Sequence, residues 1–375
     1  MGWNIPQPLT HRQIKKTSYL LWIIGLVLLV LFSFVLMLLL FDDTTDDSLM
    51  WFCSIILPII LWLILFAINL SMRYSDAVYN EEITMLNKQA TEQWQAWSKQ
   101  QLPIFASHVI CAEQDGVKVL TGDVNKIPLY PAKARPLFNA IKSTQPYWFL
   151  DEVMQNLEQQ SPNYRRYLTH IYLPQKLMKD DELQNAIFER WDLYPEPIMD
   201  YNEWITELYQ HSDDIELSLI LTCQYTFSMY SKHSQFISAL LLGDESLILT
   251  KKLTAKSWLG RLLISEQDLS ADLEQLLTLT QLPSANIKDI WISGLDKKNR
   301  IALAITTDQL AIGNGNEQLL HDIDLTFAKP SDLTHYFTLG LANGCIAHHG
   351  GEQLAVVEYA QHVYLQLITS QKMTS

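Results

Sequence analysis

The spacing of apolar and polar positions divides the chain into three regions. Two uninterrupted apolar runs come first, Tyr19–Phe41 and Leu49–Leu70. They hold about 23 and about 22 uncharged residues, against the roughly 20 that cross a bilayer core as a helix. Neither run shows the polar face of a core helix. Pro58 and Asn69 fall in the second, where a membrane helix tolerates them. Residues 72–101 are polar with spaced apolar positions and lack Pro and Gly, which predicts a helix leading away from the bilayer. Trp94 and Trp97 share one face of it, suited to docking on the domain that follows.

From Pro103 onward short apolar runs alternate with helical periodicity. Strands are predicted at 108–112, 117–122, 170–175, 215–225, 237–243, 260–265, around Ile290–Ile292, at 321–327, and in a closing pair over 353–359 and 362–369. Helices are predicted at 151–160, 180–191, 268–280, 298–310 and 332–347. The run 215–225 reads as a strand buried on both faces. The alternation defines an α/β class with a mixed, mostly buried sheet.

Charge orients the first region. The stretch "DDTTDDS" between the runs is acidic, whereas Arg12, Lys15 and Lys16 precede the first run and Arg73 follows the second. Basic flanks stay cytoplasmic, so the runs form a hairpin with the acidic loop outside and both ends inside. A signal peptide does not fit: the apolar core is too long and no small-x-small cleavage site follows. The plan is a tail over 1–16, a membrane hairpin over 17–71, a linker helix over 72–101 and a cytoplasmic domain over 102–375. The formal net charge of −14 falls mostly on that domain. Such a surface repels a phosphate backbone, which excludes nucleic acid, and anionic lipid heads as well. The hairpin holds the membrane, and a basic or amphipathic partner protein suits the acidic domain.

Candidate chemistry is thin. Cys53, Cys111, Cys223 and Cys345 lie in apolar segments without CxxC spacing, which argues against disulfides and zinc and for buried thiols. "DIWISGLD" (289–296) runs a strand into Ser293-Gly294 and an acid, but no base stands at a supporting spacing. Asp322 and Asp324, two apart on a predicted strand, point to one face and read as helix caps or solvent-facing charges. "GNGNE" (313–317) reads as a surface turn and "HHGG" (348–351) as a solvent loop. Neither GxSxG nor a cysteine opening a helix with a downstream histidine is present. No catalytic residue, cofactor or metal site is expected. Trp148, Tyr164 and Tyr167 are candidate partner-binding aromatics, with core or rim packing as the alternative.

The order of elements over 268–327, followed by "AKPSDLTHYFTLGLANGCIA" and "GGEQLAVVEY", resembles the C-terminal half of a thiolase or ketoacyl synthase. In those enzymes the strand matching "DIWISGL" ends in His-Gly, and a Gly-His pair comes later. Here the first place holds Ser293-Gly294 and the second falls near Phe327-Ala328-Lys329. The resemblance therefore implies degenerate active-site positions at Ser293, Gly294, Ala328 and Lys329. Cys223 lies inside a strand run instead of at a strand-to-helix elbow. The motifs "SQFISALLLG" (234–243), "WLGRLL" (258–263), "DIWISGL", "LLHDIDLTFAKPSDLTHYFTLGLA" (319–342) and "GEQLAVVEY" (351–359) are also similar to a family of bacterial membrane-tethered adaptors. Its members are encoded beside type VI secretion phospholipase effectors. Gly260-Arg261-Leu262 departs from that family's His-Arg-Pro, and residues 103–230 match only by the order of their elements.

This resemblance implies a two-span inner-membrane protein with a catalytically silent, thiolase-like cytoplasmic domain in pseudo-halves of about 102–230 and 231–375. It would recruit a lipase effector and hand it to the secretion spike protein. The alternatives are an acyl-transfer or acyl-thioester-binding enzyme with a degenerate pocket, and a structural connector of a secretion membrane or baseplate complex. Self-association into a homo-oligomer is compatible with each.

Overall fold

The computed structural model describes residues 3, 5–14, 16, 18–40, 47–131, 133–138, 147–210, 217–225, 232–266, 268–315, 319–328 and 331–373. The chain divides into two compact units, one of Met1–Ile5 with Trp94–Ser375 and one of Pro6–Gln93.

The smaller unit is built on the apolar runs. Helix α1 spans Tyr19–Leu40, α2 spans Asp47–Trp51, a π-helical turn covers Phe52–Ile56, and α3 runs unbroken over Leu57–Ser98. α1 and the apolar part of α3 are long and apolar enough to cross a membrane. Trp62 Nε1 donates to Trp22 O at 3.0 Å, and the Trp22 ring meets Phe66 edge-on at 5.3 Å, which ties the two helices together. The tail is clamped along the polar stretch of α3. Asn80 bonds both backbone groups of Arg12, and Asn87 bonds both of Leu9, at 2.8–3.0 Å. Seven helical residues and three extended ones both span about 10 Å, so the two amides meet the two peptide groups in register. The tail and the polar stretch of α3 therefore share one end of the hairpin.

The larger unit begins in the last turn of α3. Its elements are β1 (Gln101–Ile110), α4 (Gly116–Thr121), α5 (Trp148–Gln160), β2 (Leu168–Pro174), α6 (Asp181–Trp191), β3 (Glu196–Ile198), α7 (Tyr201–Gln210), β4 (Leu217–Gln224), β5 (Phe236–Leu242) and α8 (Ser246–Thr250). There follow β6 (Ser257–Ser265), α9 (Leu269–Thr280), β7 (Ile287–Ser293), α10 (Lys297–Gln309), β8 (Leu320–Asp322), α11 (Ile323–Phe327), α12 (Thr334–His349), β9 (Glu352–Tyr359) and β10 (His362–Thr369). The strand order is β3-β2-β4-β5-β1-β6-β10-β9-β7-β8. Counted within each set of five, both halves read 3-2-4-5-1 from the outer edge inward. In both, the second strand runs parallel to the third and fourth, while the fourth, fifth and first pair antiparallel. The domain is thus an internal duplication. Its sets meet where Gln101–Ile104 pairs with Ser257–Gly260. β5 starts at Phe236 and belongs to the first set, so the sheet divides after Leu242 and not at 230.

α12 packs on β1 and β5 of the first set and on β7, β9 and β10 of the second. Every residue from Thr334 to Asn343 is buried, the polar Thr334, His335, Thr338 and Asn343 among them. Gly340 makes this closeness feasible: a Cβ there would lie 2.4 Å from Val109 and 2.6 Å from Ser238.

Three predicted elements differ. In place of a strand over 117–122 stands helix α4, because the Asp115 carboxylate accepts Lys118 N at 3.1 Å and caps it, and burial of Val117 and Leu120 on one side outweighs β propensity. The predicted strand 321–327 lasts only to Asp322, whose carboxylate accepts Asp324 N at 3.1 Å and starts α11. Asp322 and Asp324 consequently share no strand face; Arg300 forms ion pairs with both. His348 and His349 are exposed in the last turn of α12, not in a loop.

Candidate functional site at the heads of α7 and α12

The third strand of the first half leads directly into α7, and that of the second leads through α11 into α12. The heads of the two helices open on one cavity of about 340 Å³, within the usual range of ligand pockets of about 300–1,000 Å³. Ile198, Met199, Leu333, Tyr336 and Tyr364 give it apolar and aromatic walls.

At its base lies a hydrogen-bonded trio. The Tyr201 hydroxyl donates to Gln366 Oε1 at 2.9 Å, and His335 Nε2 meets the same oxygen at 3.1 Å. The Gln366 amide nitrogen donates to Gly260 O at 2.9 Å. The Tyr201 and His335 rings meet edge to face at 4.4 Å. Burial pushes the His335 imidazole down to about 4, against the smaller opposing pull of Gln366, so it is neutral at pH 7. Burial likewise raises the Tyr201, Tyr336 and Tyr364 phenols.

Neither the elbow between β3 and α7 nor the one after β7 carries a cysteine or an exposed serine. Between β3 and α7 stand Met199, Asp200 and Tyr201, and the Asp200 carboxylate is occupied in accepting Glu203 N at 3.0 Å. After β7, Ser293 is fully buried; its hydroxyl donates to Asp324 Oδ1 at 2.5 Å and contacts Thr334 Oγ1 at 2.8 Å. Gly294 N donates to the other oxygen of Asp324 at 2.8 Å. The serine thus helps fix α11 and the head of α12. Gly294 has φ +74°, and a Cβ there would lie 2.3 Å from Glu358 O, so glycine is required by geometry. Ala328 is buried with φ +55°, and Lys329 lies outside the described residues. Cys111, Cys223 and Cys345 are buried thiols. Desolvation raises all three, Cys111 to about 12, the reverse of what a nucleophile needs. Among the described residues no group of His, Cys, Asp and Glu is placed to hold a metal.

The aromatics singled out from the sequence are not exposed anchors. Tyr164 is fully buried and accepts a hydrogen bond from Trp191 Nε1 at 2.7 Å. Trp148 and Tyr167 are half-buried and pack on the same apolar cluster beneath β2 and α6. Tyr164 is therefore core, whereas Trp148 and Tyr167 keep part of their surface open. Sequence reasoning in turn missed Tyr201, His335 and Gln366. A histidine in the apolar stretch "THYF" was the available signal, but its partner stands 31 positions away and the Tyr201–Gln366 pair is 165 apart.

No known protein family matches the sequence, and no curated protein does. Solved structures do. A chain of the AntDE:AntF assembly, a type II polyketide synthase acyl-carrier protein in complex with its ketosynthase, superposes with a TM-score of 0.52 at 10% identity, over 72% of this chain and 100% of that one. For 3-oxoacyl-[acyl-carrier-protein] synthase III from Aquifex aeolicus VF5 the TM-score is 0.46 at 9% identity, over 72% and 99%. For a monomeric SCP2-thiolase-like protein from Mycobacterium smegmatis it is 0.46 at 7%, over 74% and 79%. The larger unit has a thiolase/ketosynthase-like fold. Identity this low extends the likeness to the fold alone.

Proposed function

We propose that the protein is a membrane-anchored, non-catalytic adaptor on a condensing-enzyme scaffold, recruiting a type VI secretion phospholipase effector for loading onto the spike protein. A fold hosts many functions, so the site must decide. The observation that supports a silent domain most is the content of the elbows. Met199-Asp200-Tyr201 offers no serine or cysteine, Ser293 is committed to Asp324 and Thr334, and the buried cysteines are held as thiols. The recruiting role is supported by the motif likeness over 234–359 and by the two apolar helices. A tether holding the domain at the inner face of the cytoplasmic membrane raises the effective concentration of any effector bound to it. Handover to the spike calls for a releasable contact of ordinary size, about 1,600 Å² in total.

The test is affinity capture of the tagged full chain from cells expressing candidate effectors, read by mass spectrometry. Recovery of a lipase is expected. Baseplate proteins without a lipase would replace the adaptor with a connector, and turnover of an acyl thioester by the purified chain would end the non-catalytic reading. Alkaline phosphatase fused after Ser375 is expected to be inactive, and active when fused within 42–48. The opposite pattern would put the domain outside the cytoplasm and remove the recruitment logic.

A further inference from the structure

The charged residues lining the cavity at the heads of α7 and α12 are Asp200, Asp332 and Lys176. Lys176 pairs with Asp332, so those two cancel. Asp200 has no cationic partner among the described residues. One of its oxygens accepts Glu203 N and caps α7; the other is free, on an exposed residue within reach of solvent. His335, neutral at pH 7, does not offset it. Around this single negative charge stand Tyr201, Tyr336, Tyr359 and Tyr364. The Tyr201 and Tyr336 rings meet at 83° with centroids 5.3 Å apart and form a corner. Burial first, and then the charge of Asp200, raises the Tyr336 and Tyr364 phenols, which sets the carboxylate near both. Neither of these two hydroxyls has a hydrogen-bond partner among the described residues.

We propose that this cavity binds a small organic ammonium ion, its charged head against the Asp200 carboxylate and its apolar body among the tyrosine rings. A carboxylate oxygen without a partner and a set of aromatic rings each attract an organic cation, and Ile198, Met199 and Leu333 offer apolar contact for the body. An anion would meet Asp200 with no free cation in the described lining to offset it. An acyl thioester carries no charge with which to answer the carboxylate. A bare metal ion would find one free carboxylate where it needs several ligands. The ligand is independent of the adaptor role, and either can fail without the other.

The experiment uses the full chain in the uncharged detergent dodecyl maltoside with benzylammonium, benzyl alcohol and benzoate, their affinities read by ligand-detected NMR with empty micelles subtracted. An ion pair flanked by aromatic rings predicts about tenfold tighter binding of the ammonium than of the alcohol, with benzoate the weakest. Asp200→Asn removes the charge and keeps an oxygen to cap α7, so it should bind ammonium and alcohol alike. Equal affinity of ammonium and alcohol in the parent, tighter binding of benzoate, no binding of any probe, or a preference that survives in Asp200→Asn would each overturn the proposal. Should Asp200→Asn fail to fold, Asp200→Ser, with another capping side chain, takes its place, and the parent alone also decides. Its preference for the ammonium must shrink severalfold in about 0.5 M salt, which screens a charge open to solvent; a preference unchanged by salt overturns the site.

Discussion

The guanidinium of Arg261 lies 4.2 Å from the centre of the Trp97 ring, and the ring of Tyr209 covers it at 4.6 Å. Its Nε donates to Trp97 O at 3.0 Å and its Nη2 to the Gln100 side chain. A cation between two aromatic faces thus caps the final turn of α3, where carbonyls lack helical partners. Trp3 packs edge-on against Trp97 at 5.2 Å and donates to Leu262 O at 2.9 Å, closing the same cluster. Burial holds the guanidinium down to about 10, still charged at neutral pH.

Arg261→Met should lower stability by about 2–4 kcal/mol, since it removes both the stacked cation and the carbonyl cap. Arg261→Lys should recover less than half, because an ammonium cannot stack and fork together. Denaturant unfolding of the full chain measures both. A Met variant as stable as the parent would strip Arg261 of this role.

Gly294→Ala should cost about 2–4 kcal/mol through left-handed strain and the clash with Glu358 O. Gly350→Ala is the comparison, since a Cβ there meets nothing within 4 Å while φ is also positive, +63°. Thermal melts should place Gly350→Ala well above Gly294→Ala. The reverse order would show that Gly294 is kept for something other than space.

Cys111, Cys223 and Cys345 should resist a thiol-alkylating reagent at pH 7.5 in the folded protein and react together on unfolding. Desolvation holds all three as thiols that ionise too little to attack, Cys345 included, although its Sγ donates to Asp289 Oδ2 at 3.5 Å. Mass spectrometry of tryptic peptides reads each site. Rapid labelling of any of the three under native conditions would reopen the question of a nucleophile.

His335 predicts an acid-side loss of stability. Folded, it titrates near 4; unfolded, near its ordinary 6.5. Between these values the unfolded chain binds a proton that the folded chain refuses, so stability is flat above 6.5 and falls as pH drops to 4. The full difference corresponds to about 3 kcal/mol. The phenols around it stay neutral throughout, and the carboxylates Asp200 and Asp332 are common to parent and variant. Unfolding midpoints of parent and His335→Phe across pH 4–7 should therefore diverge, with the parent steeper. Parallel curves would remove His335 as the source.

Much of the scaffold was legible. The helices at 151–160, 180–191 and 268–280 and the strand at 215–225 appear with small shifts of boundary, because each carries its own periodicity and two of the helices their own caps, Asp180 on Leu183 N and Asp268 on Ala271 N. The failures share a cause. In 117–122 and 321–327 a single aspartate outweighed β-branched composition, and a capping bond depends on local geometry that residue counts do not contain.

The α/β alternation, the two apolar helices and the absence of a sequence-local catalytic motif were determined by the chain's linear pattern, since each depends on neighbours a few residues apart. Only tertiary structure decided that Tyr201, His335 and Gln366 form one site and that Tyr164 is core. The site depends on two duplicated sets of strands in one sheet bringing α7 and α12 together, and no local spacing encodes a contact closed over 165 positions.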